Sequence, residues 1–539
     1  MGEWWRGGVI YQIYPRSFQD SNGDGIGDLE GMTRRLDHIA RLGADAIWLS
    51  PIFASPMDDM GYDVSDYEAV DPVFGDLKAF DALVARAHDL GLKVMIDQVL
   101  NHSSDRHAWF QESRKSRDNP KADWYVWADP KKDGTPPNNW LSVFGGPAWE
   151  WNPSRGQYYL HNFLATQPDL NFFNPEVQEA MLRILRFWLD RGVDGFRFDT
   201  VNFFFHDKKL RDDPAERRKK NAPPEYNPYN MMDHIHSKSR PENIAFLKRI
   251  RKLMDEYPGT TTVGEVGEAP RHAVEVMAAY TSGGDKLHMC YSFDMLGPDF
   301  TAAHFRKTIE GFFEAAPDGW PAWSFSNHDV MRQVSRWADH AANPDDFARL
   351  CAALLLALKG SVCIYQGEEL GLPEADLEYE EITDPQGKRF WPDHKGRDGC
   401  RTPIPWEAGD APNGFTTGKP WLPIKPEHSA RNVAEQESAP RSVLAFYREM
   451  LAWRRRHTAL VDGAIEFIKT SEPVLAFRRS APEGAFVCVF NLSPQAQTLA
   501  RKHLPGNVEL TDIVQGAAMG KKKLELGPNG FAILSVGQD

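Results

Sequence analysis

The stretch VDGFRFDTV, residues 193–201, runs Gly195-Phe196-Arg197-Phe198 straight into the carboxylate of Asp199. Side chains alternate along a strand with a period of two, so Arg197 and Asp199 share one face and the two Phe take the other. An apolar strand that ends on a facing cation and anion holds a charge pair where a strand normally has none. The preceding segment, PEVQEAMLRILRFWLDRG (175–192), sets Val177, Met181, Ile184, Leu185, Trp188 and Leu189 on one helical stripe. Pro175 suits its first turn and Gly192 its end. A helix that feeds a strand through a short turn is half of a parallel βα repeat.

The same alternation recurs along the chain. Strands are predicted at VIYQIY (9–14), AIWLS (46–50), KVMIDQV (93–99), GFRFD (195–199), TTVGEV (261–266), KLHMCYSFD (286–294), AWSFSNHD (322–329) and SVCIYQGEE (361–369). Gly43, Gly91, Gly192 and Gly360 close the helical runs before the next strand. Eight such units predict an α/β fold, a (β/α)8 TIM barrel over residues 1–102 and 171–459. An open doubly wound sheet fits less well, because no glycine-rich phosphate loop follows the first strand. Residues 103–170, rich in Trp, Pro, Asn and Gly, read as a small subdomain inserted after strand three. Residues 370–440 are irregular. After a helix at 442–456 come VLAFRRS, AFVCVFNLS, NVELTDIV and FAILSV, which predict a C-terminal antiparallel β-sandwich over 460–539.

Composition narrows the function classes. A formal charge of −14 disfavours nucleic acid and anionic membranes as partners. The longest apolar run, 351–365, is broken by Lys359 and Gly360, so no membrane span is expected, and the N-terminus lacks a signal-peptide pattern. Cys290, Cys351, Cys363, Cys400 and Cys488 are odd in number and lack metal-type spacing, which reads as reduced thiols in a cytoplasmic protein. The aromatic share, 12%, serves the core and also suits stacking on sugar rings.

In a parallel barrel the active site lies at the C-terminal strand ends. Strand three leads into Asp97, Asn101 and His102. Strand four ends on Arg197 and Asp199, strand five on Glu265, strand seven on Asn327-His328-Asp329, and strand eight on Glu368-Glu369. One strand-end carboxylate is as readily a loop cap as a catalyst. Asp199, Glu265 and Asp329 gathered in one mouth repel each other, which points to use. Glycoside hydrolysis needs two carboxylates, one nucleophilic and one acidic. Crowding raises the pKa of the acid, and Arg197 favours an ionised Asp199.

The motifs DQVLNH (97–102), GFRFD (195–199), GEV (264–266) and SNHD (326–329) together resemble the α-amylase family of glycoside hydrolases. GYDVSDY (61–67), QPDLNF (167–172), YQGEELG (365–371) and GRDGCRTP (396–403) are similar to its oligosaccharide-cleaving branch, in which the bacterial exo-acting α-glucosidases fall. The resemblance implies Asp199 as nucleophile, Glu265 as general acid and then base, and Asp329 on the 2- and 3-hydroxyls of the bound glucose. It places His102, Arg197 and His328 around that sugar. It pairs Asp63 with Arg401 on the 4-hydroxyl of a terminal glucose, which makes the enzyme exo-acting. Tyr62, Phe144, Phe163 and Gln167 are expected in the pocket wall, although Phe144 and Phe163 also read as packing within the insertion.

Thr200, by the same resemblance, goes with α-1,4 bonds, hence with maltose and short α-glucosides. FDTVNFFFHD is similar to α-glucosidases that transfer glucose to alcohol or sugar acceptors. Transfer follows from a covalent intermediate. A sucrose-using glucosyltransferase, a disaccharide isomerase and a non-catalytic sugar-binding relative are the rival readings. The oligomeric expectation is a monomer or homodimer.

A second motif, DSNGDGIGD (20–28), offers Asp20, Asn22, Asp24 and Asp28 as oxygen ligands, with Gly25 for the turn. Gly31 at position twelve rules out an EF-hand. The resemblance implies structural Ca2+ here, with the Ile26 carbonyl as a further ligand and Mg2+ as the alternative ion. A metal-free Asx-turn loop is the other reading. No organic cofactor is expected. The basic runs at 217–220 and Arg454-Arg455-Arg456 read as a polar loop and a solvated helix end.

Overall fold

The computed structural model describes residues 3–217 and 225–537, so Arg218, Lys219 and Lys220 of the basic run lie outside the described residues. All eight predicted barrel strands form: β1 (Val9–Ile13), β2 (Ala46–Leu49), β3 (Lys93–Gln98), β4 (Gly195–Phe198), β5 (Thr261–Val266), β6 (Met289–Ser292), β7 (Ala322–Ser324) and β8 (Ser361–Tyr365). They pair in the order β6-β5-β4-β3-β2-β1-β8-β7, every pair parallel. A single parallel bridge, Cys290 to Pro321, joins β6 to the start of β7 and closes the ring. Every strand residue except Lys93 is buried, because helices cover the outer face and side chains fill the interior.

Register places the chemistry. Arg197 of β4 lies level with Asp97 of β3 and Val263 of β5, and Glu265 lies level with Tyr291 of β6. Gly195 opens β4 because a Cβ there would come within 2.7 Å of the Thr261 carbonyl oxygen. The helix Pro175–Asp190 delivers this strand. Asn174 caps it by accepting the Glu176 N–H, and its apolar stripe is buried. Gly192, at φ 91°, then turns the chain into β4. Strands six and seven are shorter than the sequence suggests. The backbone leaves the sheet after Ser324, and Asn327, His328 and Asp329 lie beyond the end of β7.

Within 103–170 a three-stranded antiparallel sheet forms from Trp127–Ala128, Trp149–Asn152 and Gln157–Leu160. It encloses its own cluster of Val126, Trp140, Ala148, Trp149 and Leu160. It also braces the segment after β4: Trp140 Nε1 donates to the Arg211 carbonyl at 2.9 Å, and Asn227 Nδ2 donates to the Val143 carbonyl at 2.7 Å.

The C-terminal strands are β9 (Ala464–Ile468), β10 (Val474–Ala481), β11 (Gly484–Asn491), β12 (Gln497–Ala500), β13 (Val508–Met519) and β14 (Lys523–Val536). They build one continuous antiparallel sheet, β9-β10-β11-β14-β12, with β13 also paired to β14. Leu475, Phe477, Phe490, Phe531 and Ile533 join the barrel's hydrophobic core. Their strand neighbours Val474, Ala476, Val489 and Leu534 close a separate core with Leu499, Leu524 and Leu526.

One expectation fails here. Arg454 is not a solvated helix-end cation but 3% exposed, donating to the carbonyls of Leu356 and Gly7. Arg479 is buried beside it, on the carbonyls of Ala357 and Gly463. Both arginines satisfy carbonyls at the C-terminal end of the helix Pro344–Ala357, Arg454 from the barrel's last helix and Arg479 from the C-terminal sheet. Among the described residues no helix is long and apolar enough to cross a membrane, and all five cysteines are buried and unpaired.

Candidate active site

Arg197 rises from β4 into the barrel centre with its side chain 1% exposed. Its Nη1 meets Asp97 Oδ1 and Asp199 Oδ1, each at 2.8 Å. Its Nη2 meets Glu265 Oε1 at 2.5 Å and the Tyr291 hydroxyl at 2.9 Å. One guanidinium thus holds three carboxylates from β3, the end of β4 and β5. Thr200 completes the arrangement in a left-handed conformation, φ 41° and ψ 46°. Its N–H donates to Glu265 Oε2 at 3.0 Å and its hydroxyl to Asp199 Oδ2 at 3.1 Å. A β-branched residue pays backbone strain there, a feature of functional sites.

The electrostatics follow burial first. Desolvation pushes Asp199 up to about 7, against the pull of Arg197 and with help from Asp97 and Asp329. Desolvation likewise pushes Glu265 up to about 7, again against Arg197. The sequence argument gave Arg197 the deciding influence on Asp199. Its charge is instead divided among three carboxylates, and burial prevails. Asp329 behaves oppositely. Burial opposes its ionisation, but His328, Arg397, Arg401 and Arg197 together hold it well below the usual carboxylate range. Burial lowers His102 to about 3 and His328 far below its ordinary value.

Tyr62 donates to Asp97 at 3.0 Å and stacks on His328, whose ring lies 5.3 Å away. Gln167 sits beneath the wall, donating to Asp59 at 3.1 Å and lying 3.2 Å from His102 Nε2. Phe144 and Phe163 pack on each other within the insertion and on Phe203 beyond it, and both line the cavity.

The Asp63–Arg401 pair does not form. Asp63 is fully buried, and its oxygens accept the N–H groups of Asp58 and Asp59 and the Ser55 hydroxyl. Arg401 donates to the His328 carbonyl at 2.7 Å and reaches Asp329 at 3.2 Å. The ion pair that forms in the cavity wall is Asp59–Arg397, at 2.7 Å. Arg397 also binds Asp384 at 2.7 Å and Asp329 at 3.2 Å. Each member lies four residues before the one chosen from sequence, in the doublets Asp59/Asp63 and Arg397/Arg401.

These residues line a cavity of about 630 Å³ that holds Asp199, Glu265 and Asp329 together with Asp59, Tyr62, His102, Thr200 and Arg397. Arg197, His328, Gln167, Asp63 and Arg401 lie behind the lining. Sequence reasoning missed the outer wall: Phe203, Tyr229, Lys238, Glu268 and Phe293. Phe203, Tyr229 and Phe293 sit on short 3-10 turns, and Lys238 and Glu268 on loops, where no periodicity marks them.

In the 20–28 loop, Asp20 accepts the N–H groups of Asn22, Gly23 and Gly25, each at 2.8 Å. Asp28 caps the helix Leu29–Leu42 through the Gly31 N–H at 2.7 Å. Asn22 and Asp24 are exposed, and each side chain accepts one N–H two residues on. An oxygen-only donor set of this kind fits a hard cation. Among the described residues no group of three or more His, Cys, Asp or Glu is placed to hold a metal ion. A cation here would therefore lean on the Asn22 amide and the Ile26 carbonyl.

A closed parallel barrel with a buried carboxylate pair on one arginine, at the C-terminal strand ends, defines a glycoside-cleaving scaffold. A family model described as the α-amylase catalytic domain matches residues 12–463. A probable α-glucosidase of Rhizobium meliloti (strain 1021) is 61% identical over 508 residues, covering 93% of this chain and 91% of its own. An oligo-1,6-glucosidase of Heyndrickxia coagulans is 38% identical, covering 95% and 97%. Among solved structures, the α-glucosyl transfer enzyme XgtA matches with a TM-score of 0.95 at 53% identity, covering 100% of both chains. The trehalulose synthase MutB from Pseudomonas mesoacidophila MX-45 matches at 0.89 and 36%, again covering 100% of both. The chain belongs to the α-amylase family of glycoside hydrolases.

Proposed function

We propose that this protein is an α-glucosidase that releases single terminal, non-reducing, α-1,4-linked glucose units from maltose-like oligosaccharides with retention of configuration. The observation that carries this reading is the guanidinium of Arg197 bridging Asp199 and Glu265 in a pocket walled by Asp59–Arg397. Carboxyl groups held by one guanidinium favour the short separation of a retaining pair, about 5–5.5 Å, over the wider gap that admits a water.

Asp199 Oδ1 stays on Arg197, and Oδ2 attacks the anomeric carbon as the glycosidic bond breaks. Glu265 Oε1 already faces Arg197 and the Tyr291 hydroxyl, so Oε2 carries the proton given to the leaving oxygen. In the second step Glu265 takes a proton from water, whose oxygen displaces Asp199 from the sugar. A sugar or alcohol in place of that water gives transfer. Ionised Asp329 accepts the 2- and 3-hydroxyls, and Asp59 with Arg397 takes the 4-hydroxyl, leaving no room for a preceding sugar.

Thr200 supports the α-1,4 assignment. Thr200→Val keeps the shape and removes the hydroxyl on Asp199, and is expected to raise the isomaltose-to-maltose ratio of kcat/KM. An unchanged ratio would remove Thr200 from linkage choice. The likeness to a glucosyl transfer enzyme and a trehalulose synthase supports a second reading, in which sucrose is the donor and transfer or isomerisation dominates. Five unpaired, buried cysteines support a reducing, cytoplasmic setting. Asp20, Asn22, Asp24, the Ile26 carbonyl and Asp28 would hold Ca2+, or Mg2+ in its place, and such an ion would brace the loop that starts the first barrel helix.

The deciding experiment is proton NMR of freshly released glucose from maltose, with isomaltose and sucrose alongside. α-Glucose appearing first upholds the mechanism. β-Glucose appearing first overturns it. Turnover of sucrose alone would move the function to the second reading.

A further inference from the structure

The general acid touches the leaving oxygen, so the cavity wall beyond Glu265 faces the group that departs. That wall is built from Gly267, Glu268, Ala269, Pro270 and Arg271 on one side, and from Phe203, Tyr229, Met232, His234 and Lys238 on the other. Most of its polar groups are already engaged. Arg271 pairs with Asp233 at 2.6 Å and with Glu216. His234 lies on the Tyr229 carbonyl at 3.0 Å and the Ser237 hydroxyl at 3.1 Å.

Lys238 and Glu268 differ. Their side chains are 5% and 7% exposed. The Lys238 ammonium donates to the Gly267 carbonyl at 2.7 Å and the Tyr229 hydroxyl at 3.0 Å. An ammonium has three donors, so one remains. Glu268 is anchored at both oxygens, by the Ser239 hydroxyl at 2.5 Å and the Ala269 N–H at 2.8 Å. Its Oε1 stops 3.8 Å from the Lys238 nitrogen, beyond hydrogen-bond reach. A buried cation and anion held just apart forgo most of their mutual gain. A hydroxyl bridges such a gap, because it accepts from the ammonium and donates to the carboxylate at once. Aromatic surface lies alongside, with the Lys238 nitrogen 5.0 Å from the centre of the Phe203 ring.

We propose that Lys238 and Glu268 form the subsite for a hydroxyl-bearing leaving group, the sugar on the far side of the cleaved bond, and that the same pair selects sugar acceptors in transfer. This rests on the glucosidase reading above. The pair acts on specificity, through a group that never touches Asp199.

The test compares maltose with 4-nitrophenyl α-glucoside, which presents the same glucose but a leaving group without sugar hydroxyls. In Lys238→Met and Glu268→Gln the maltose-to-aryl ratio of kcat/KM is expected to fall about ten-fold or more, the loss of one charge-assisted hydrogen bond. Partition of the glucosyl group between added glucose and added ethanol should shift toward ethanol by a similar factor. Lys238→Arg, which keeps the charge, should recover part of both ratios. Equal losses on the two substrates would mark a merely structural role and overturn the inference, as would unchanged ratios. A wild type that cleaves both substrates while the variants leave the ratios unmoved sinks only this subsite. A wild type inert toward both removes the glucosidase reading and this inference with it.

Discussion

Arg197 meets Asp97, Asp199 and Glu265 together, so the proton count of the site belongs to the group and not to one residue. Turnover needs Asp199 ionised and Glu265 protonated, and both are pushed to about 7. Activity should therefore be bell-shaped near neutrality. It falls on the acid side as Asp199 takes a proton, and on the alkaline side as Glu265 loses one. Glu265→Gln should abolish the alkaline limb and slow maltose by about 10²–10⁴-fold, the range of general acid catalysis. Aryl glucosides with good leaving groups should lose far less in their first step. Equal losses on both substrates would remove Glu265 as the acid. At this scale the sequence was legible at Asp199 and Glu265, where the strand fixes the direction, but not at Glu368 and Glu369, which are held by the Tyr447 and Tyr11 hydroxyls away from the cavity. It misled at Asp63 and Arg401, where a second Asp and a second Arg lie four residues upstream on turns. Periodicity does not say which of two turn residues faces a cavity. Here Asp63 is consumed by the N–H groups of Asp58 and Asp59.

At the scale of elements, the barrel strands were readable because each is an apolar run buried on both faces. The helix Pro175–Asp190 was readable from its stripe and its flanking Pro and Gly. The pocket's outer wall was not, because residues 203–217, 225–238 and 267–271 are positioned by tertiary hydrogen bonds, such as Asn202 Oδ1 accepting the Gly267 N–H at 3.0 Å. The 20–28 loop lies between these cases. Its Asx turns are visible in sequence, and the side chains of Asp20, Asn22 and Asp24 satisfy the loop's own N–H groups, so the turns by themselves do not report an ion. If it holds Ca2+, chelation should lower Tm by a few degrees and added Ca2+ should restore it, with Asp24→Ala abolishing the response. A Tm indifferent to chelator and to Ca2+ would leave the loop as self-satisfied turns, with Asp28 serving only as a helix cap.

The whole molecule depends on the seat of the C-terminal sheet. Leu475, Phe477, Phe490, Phe531 and Ile533 belong to the barrel's own core, and Arg479 of the sheet donates to the Ala357 carbonyl of the barrel across the junction. A chain cut near residue 460 is expected to be insoluble or molten, and the full chain to unfold in one calorimetric transition. Two separated transitions would show that the sheet is an independent passenger. The change from βα to β pattern was plain in sequence. The burial of Arg454 was not, because three consecutive arginines look alike until a neighbour covers one of them.

The barrel's closure carries a mechanical consequence. Seven of its strand contacts are ladders, whereas β6 meets β7 at the lone bridge from Cys290 to Pro321. The cylinder is therefore a rolled sheet with a slit, and the slit runs between the strand whose Tyr291 steadies Glu265 and the strand that leads to Asp329. Breathing of the barrel should begin along that seam, and the amide protons of Ala322–Ser324 should exchange with deuterium ahead of those in β3 and β4. The two halves of the catalytic apparatus would then sit on opposite lips of the most compliant line in the fold.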